Sequence, residues 1–143
     1  RNKIDTILHV EPHADIVILG DLNDEPTDES IINELGATMY IDSLIKHNYA
    51  LYNLMGKWHQ SDLGATYKYG GKDLVYDHII VSNGLLDNLG FKYLPESVSI
   101  FDGYKYRQHG GKYDGYPYRF WAGNKLLGGY SDHMPIYFTI LLN

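Results

Sequence analysis

Hydrophobic positions along this chain fall into stripes and into short continuous runs. Ile4, Ile7 and Leu8 recur at i, i+3 and i+4, one face of a helix over 3–11 that ends at Pro12. The four apolar residues at 16–19 are mostly β-branched and predict a strand at 15–20, buried on both faces. A second such strand is predicted within 73–82, where Leu74-Val75-Tyr76 and Ile79-Ile80-Val81 enclose Asp77-His78. Between them, Thr27 or Asp28 is placed to cap a helix running through Leu35, with Ile31, Ile32 and Leu35 as its apolar face and Gly36 as its stop. The stretch 39–44 fits a short strand or turn, 49–55 a short helix and 56–64 a loop. Residues 65–69 alternate as a strand does, and Gly70-Gly71 turns it. A further short strand belongs in 90–100, and 134–142 reads as the last strand. The intervening 102–130 is glycine-rich and poor in aliphatic residues, the composition of a long functional loop. Strands with only two clear helices predict an α+β fold or a layered α/β sandwich, and no repeat or linker divides it.

Composition changes this picture in a few places. The 143 residues suffice for one core, and no run approaches the roughly 20 apolar residues of a membrane-spanning helix. Absence of Cys removes disulfides and thiolate metal sites. Fourteen Tyr supply flat apolar area with polar tips, suited to binding surfaces. The chain opens Arg1-Asn2-Lys3 without Met or a signal peptide, so a natural start upstream is expected and the compartment stays open. A net charge of −6 argues against coating nucleic acid by bulk electrostatics. Yet 103–130 holds Lys105, Arg107, Lys112, Arg119 and Lys125 against Asp114 alone, which suits a local anionic ligand as well as a solvated loop.

Three polar sets abut the apolar strands: Asp21 with Asn23, Asp77, and Asp132 with His133. Gly20-Asp21-Leu22-Asn23-Asp24 on its own suits an ordinary Asp/Asn turn. Asp77, inside an apolar run, needs a partner, and His133 is the natural one. An Asp–His pair orients an imidazole to bind an oxyanion or move a proton. Each Asp alone also suits a strand-end cap; the three sets together favour phosphate chemistry.

Gly20-Asp21-Leu22-Asn23-Asp24, Asp77-His78-Ile79-Ile80-Val81-Ser82 and Ser131-Asp132-His133-Met134-Pro135-Ile136 resemble, in order, the C-terminal motifs of the endonuclease/exonuclease/phosphatase superfamily. That superfamily holds DNase I-like nucleases, abasic-site endonucleases, inositol-polyphosphate 5-phosphatases and neutral sphingomyelinases. The resemblance spans about 3–142. Leu51-Tyr52-Asn53-Leu54-Met55, Thr66-Tyr67-Lys68-Tyr69 and Gly128-Gly129-Tyr130 before Ser131 are similar to a bacterial branch, mostly from Bacteroidetes. The resemblance implies a metal-dependent phosphoesterase. Asp21 would orient or deprotonate the attacking water, and Asn23 would hold a phosphoryl oxygen and fix Asp21. Asp77 would hold His133, which would hydrogen-bond a non-bridging oxygen. Asp132 would sit at the metal, usually Mg²⁺, with Mn²⁺ as an alternative. His78 departs from most relatives and is expected to face the core. Arg119, in the loop before Ser131, would grip a substrate phosphate, and Tyr67 and Trp121 would wall the site or stack on a ring.

The family domain normally has about twice this length, with an Asn and a metal-ligating Glu in its first half. The resemblance therefore implies the C-terminal half of a four-layer α/β/β/α sandwich: one mixed sheet with flanking helices, an apolar face left for the absent half, and little activity alone. Nucleic acid and small organic phosphates both remain as substrates. The competing reading is a non-catalytic binding or scaffold module; intact Asp21, Asn23, Asp132 and His133 favour catalysis.

Overall fold

The computed structural model describes residues 1–42 and 51–143. The architecture is α+β, with a mixed sheet and few helices. Helix α1 (Asn2–Val10) forms where the stripe predicts it, and Ile4 packs on the core while Ile7 and Val10 stay exposed. The four-stranded sheet contains β1 (Val17–Asp21), β2 (Ala37–Thr38), β3 (Leu51–Asn53) and β6 (Asp77–Ser82), in the order β1-β6-β3-β2. β6 runs antiparallel to both β1 and β3, and β2 lies parallel to β3.

β6 is the strand the core is built on. Ile79, Ile80 and Val81 are almost fully buried, each worth about 1.5–3 kcal/mol of apolar burial. Alternation divides them. Ile79 and Val81 join Leu54, Met55, Val75, Leu85, Val98, Ile100 and Met134 on one face. Ile80 joins Ile31, Ala37 and Leu51 on the other, against Ile4, Ile18, Leu22 and Leu35.

The other apolar run behaves differently. β1 is an edge strand, and Leu19 and Val17 are 67% and 36% exposed. The expected burial on both faces therefore fails: only Ile18 faces a core, because the cover over Ile79 and Val81 stops short of the edge.

Other departures are local. The helix expected over 28–35 is a single π-helical turn, Ser30–Glu34, closed by Leu35 N–H to Ser30 O at 2.8 Å. Neither predicted cap acts as one: Thr27 Oγ1 lies 3.4 Å from His59 Nε2 and Asp28 accepts Glu25 N–H at 2.7 Å, while Ser30 donates to Asp24 at 2.5 Å, binding the segment into the preceding turn. Residues 51–53 form a strand rather than a helix, and the predicted loop after them contains the short helix α2 (Gly56–His59). Residues 43–50, part of two predicted elements, lie outside the described residues.

The hairpin of β4 (Tyr67–Tyr69) and β5 (Lys72–Leu74) turns at Gly70-Gly71, whose φ values of 57° and 84° a two-residue type I′ turn requires. The 90–100 segment holds two strands, β7 (Phe91–Tyr93) and β8 (Ser99–Ile100). The last run divides into β11 (Ile136–Tyr137), paired with β8, and β12 (Ile140–Leu142), paired with β7. In 102–130 lies one small hairpin, β9 (Trp121–Ala122) with β10 (Lys125–Leu126), amid hydrogen-bonded turns. Arg107 orders this region by binding Asp102 through two nitrogens and Gly115 O at 2.6 Å, so its charge is already neutralised. Among the described residues no helix is long and apolar enough to cross a membrane.

Candidate active site

The antiparallel register of β1 and β6 sets Asp21 directly opposite Asp77. Both carboxylates emerge at one end of the sheet, on the face that carries Ile79 and Val81. After Asp21 the chain turns sharply. Asn23 takes a left-handed φ of 55°, its backbone N–H donates to Asp21 Oδ1 at 2.9 Å, and its side-chain amide donates to Asp21 Oδ2 at 3.3 Å. Asn tolerates this region better than most residues because its short side chain bonds locally.

His133 arrives from the other side. Met134 N–H donates to Thr66 O at 2.7 Å, and the His133 backbone bridges to Tyr67. The imidazole Nδ1 lies 2.7 Å from Asp77 Oδ2, and Nε2 lies 3.9 Å from Asp21 Oδ2. Asp77 thus fixes the ring, leaving Nε2 turned towards Asp21. Tyr67 stacks on His133 with centroids 4.5 Å apart, and Tyr76 stacks on Tyr67 at 5.5 Å. Tyr67 accordingly walls the cluster.

Two polar groups support this arrangement without belonging to it. Thr66 is fully buried, and its hydroxyl accepts the N–H groups of Tyr76 and Asp77 at 3.0 and 3.1 Å. His78 is fully buried on the opposite sheet face; Asn53 Nδ2 donates to its Nδ1 at 2.9 Å and its Nε2–H donates to Asp24 O at 2.8 Å. This chain of bonds ties β3, β6 and the turn after Asp21 together. Burial pushes the His78 imidazole below its ordinary pKa, outweighing the Asp24 carbonyl and nearby carboxylates that pull it upward. It faces the core, as expected, and its two hydrogen bonds make it a strut there. The roles of Thr66 and Asn53 depend on contacts remote in sequence; the only local sign was at Asn53, a polar residue between Leu51-Tyr52 and Leu54-Met55.

The remaining predicted residues, Asp132, Arg119 and Trp121, are not part of the cluster. Asp132 is half exposed, with Arg119 facing it at 3.8 Å. Trp121 is 53% exposed on β9 and packs edge-on against Phe120, so nothing among the described residues draws it to His133. Donor atoms of Asp21, Asp77 and His133 lie within 4.8 Å of one another. Carboxylate oxygens in a chain without Cys are the donor set of a hard divalent ion.

A family model described as the Endonuclease/Exonuclease/phosphatase family matches residues 1–141. The chain belongs to this family. Its members generally hydrolyse ester bonds and usually use divalent metals, in keeping with the Asp/Asp/His cluster. Neither the curated proteins nor the solved structures yield a match, so nothing narrows the assignment to the Bacteroidetes branch.

Proposed function

We propose that this chain carries the hydrolytic centre of a metal-dependent phosphoesterase, acting on a phosphodiester or phosphomonoester. One observation carries the reading: His133 is gripped by Asp77 through Nδ1 at 2.7 Å while Nε2 points towards Asp21 at 3.9 Å. With Nδ1 held by Asp77, Nε2 is the nitrogen left to hydrogen-bond a non-bridging phosphoryl oxygen, where negative charge grows in the transition state. Asp21 orients the attacking water and takes its proton, its carboxylate held by both N–H donors of Asn23. The Asn23 amide also contacts a phosphoryl oxygen. Asp132, outside the Asp21/Asp77/His133 donor set, would help to hold a divalent ion, Mg²⁺ with Mn²⁺ as an alternative, which would supply charge to polarise the ester.

The exposed Val17 and Leu19 support a further element of this proposal. Sequence upstream of this chain packs a second sheet against β1 and contributes another metal-binding carboxylate, so the 143 residues alone hydrolyse little.

The test is hydrolysis of bis(p-nitrophenyl) phosphate and p-nitrophenyl phosphate by the full-length protein with Mg²⁺, and again with EDTA. Asp21→Ala and His133→Ala should each lower kcat by about 10²–10⁴-fold, and EDTA should abolish turnover. Full activity in Asp21→Ala would remove the water-orienting role, and no activity on any phosphate ester would favour a scaffold.

A further inference from the structure

Beside the cluster lies a cleft of about 790 Å³. One wall is the β4–β5 hairpin with its Gly70-Gly71 turn, and the other is formed by residues from 108–127. Tyr116 joins the walls: its hydroxyl accepts Gly71 N–H at 2.8 Å, and Lys68 Nζ lies 5.7 Å from the centre of its ring. Two routes connect the cleft with His133. Tyr69 stacks on Tyr67 with centroids 6.4 Å apart, and Tyr67 stacks on His133. Arg119 lines the cleft and also faces Asp132, the residue before His133.

The charge of the cleft is one-sided. Lys68, Lys112 and Arg119 line it, and its lining includes no Asp or Glu, in a chain of net charge −6. Lys68 is neutralised by Asp73 at 2.9 Å. Lys112 is not: among the described residues no carboxylate pairs with it, and its ammonium lies 5.4 Å from the Tyr113 ring centre.

We propose that this cleft binds the part of the substrate beyond the scissile phosphate, and that this part is a flat ring system carrying a second phosphate. The inference rests on the phosphoesterase reading above. Three features select this class. The volume falls in the range of small-molecule sites, about 300–1,000 Å³. The Tyr faces offer stacking surface for a ring. Lys112, the cleft cation without a carboxylate partner among the described residues, supplies a donor apart from the one a monophosphate held at His133 needs, while Arg119 shares its charge with Asp132 at 3.8 Å. A long polyanion fits less well, because the acidic remainder of the surface repels it.

The test is isothermal titration calorimetry in EDTA with thymidine 3′,5′-bisphosphate, thymidine 5′-monophosphate and inorganic phosphate. The bisphosphate should bind at least about tenfold more tightly than the monophosphate. Lys112→Ala should erase most of that preference, and Lys112→Arg should keep it; Lys112 is exposed in a surface turn, so neither change threatens the fold. Lys3→Ala, which removes a charge from an exposed position of α1 that does not line the cleft, should retain the preference. Equal affinity for the two nucleotides, a preference that survives Lys112→Ala, or tighter binding of a long single-stranded oligonucleotide would each overturn the proposal. Ester hydrolysis by the full-length protein without the binding preference refutes the cleft alone. The preference without hydrolysis refutes the phosphoesterase reading and leaves the ligand class standing.

Discussion

At Asn23 the backbone conformation and the chemistry can be separated. Its φ of 55° is costly for most side chains, and its amide also restrains Asp21. Asn23→Gly relieves the backbone and deletes the amide, whereas Asn23→Ala deletes the amide and keeps the strain. Asn23→Ala should therefore lose about 1 kcal/mol of stability relative to Asn23→Gly in urea denaturation. Both should lose similar amounts of kcat on a phosphodiester, about 10²-fold. A Gly variant with full turnover would reduce Asn23 to a turn residue. His78 gives a second test at this scale. Its pKa is lowered by burial, so the unfolded chain takes up the proton more readily than the folded one. The stability tied to His78 is complete above about pH 6.5 and drains away as the pH falls below that value. Urea midpoints of the metal-free protein, read from about pH 7.5 to about pH 5, should decline, and His78→Gln should flatten the decline. An unchanged slope in His78→Gln would assign the effect to another group.

Among the elements, Thr66 decides whether β6 can begin with a carboxylate. Its hydroxyl satisfies two N–H groups at the start of that strand, including that of Asp77. Thr66→Val is nearly isosteric but leaves both donors without a partner, at about 1–3 kcal/mol each. Thr66→Val should lower stability by about 2–6 kcal/mol and Thr66→Ser by less than half of that. Equal melting temperatures for the two variants would mean that shape, not the hydroxyl, is what the site needs. This dependence also marks the limit of what the sequence discloses. Ile79-Ile80-Val81 and Gly70-Gly71 were legible because a continuous apolar run and a left-handed turn are local signals. The Asp77–His133 pairing was legible because an Asp within such a run requires a partner. The π-helical turn at Ser30–Glu34 was not, since it arises from Asp28 and Ser30 bonding to the preceding turn. Strand β3 was misread because three residues are too few to display a period, and Leu51 and Asn53 point inward only by pairing with β6. The exposure of β1 was equally hidden: its run resembles that of β6, and only the strand order makes one of them an edge.

For the whole molecule, that edge bears on how the site is completed. Val17, Leu19 and Asp21 alternate along one face of β1, so the exposed apolar pair leads directly to the carboxylate of the Asp21/Asp77/His133 cluster. Leu19 is 67% exposed, which leaves little apolar burial for its side chain to contribute in this chain. Substitution there should consequently be near neutral in the 143-residue chain. In a polypeptide extended upstream of Arg1, a second sheet packed on this face would bury Leu19, and Leu19→Ser would cost about 2–3 kcal/mol. It would also lower phosphodiester turnover, because the strand that positions Asp21 would lose its backing. Parallel urea titrations of both polypeptides, with and without Leu19→Ser, measure the difference. A substitution that is silent in both would leave β1 a true solvent edge and would require any further metal ligand to approach the cluster from the loops instead.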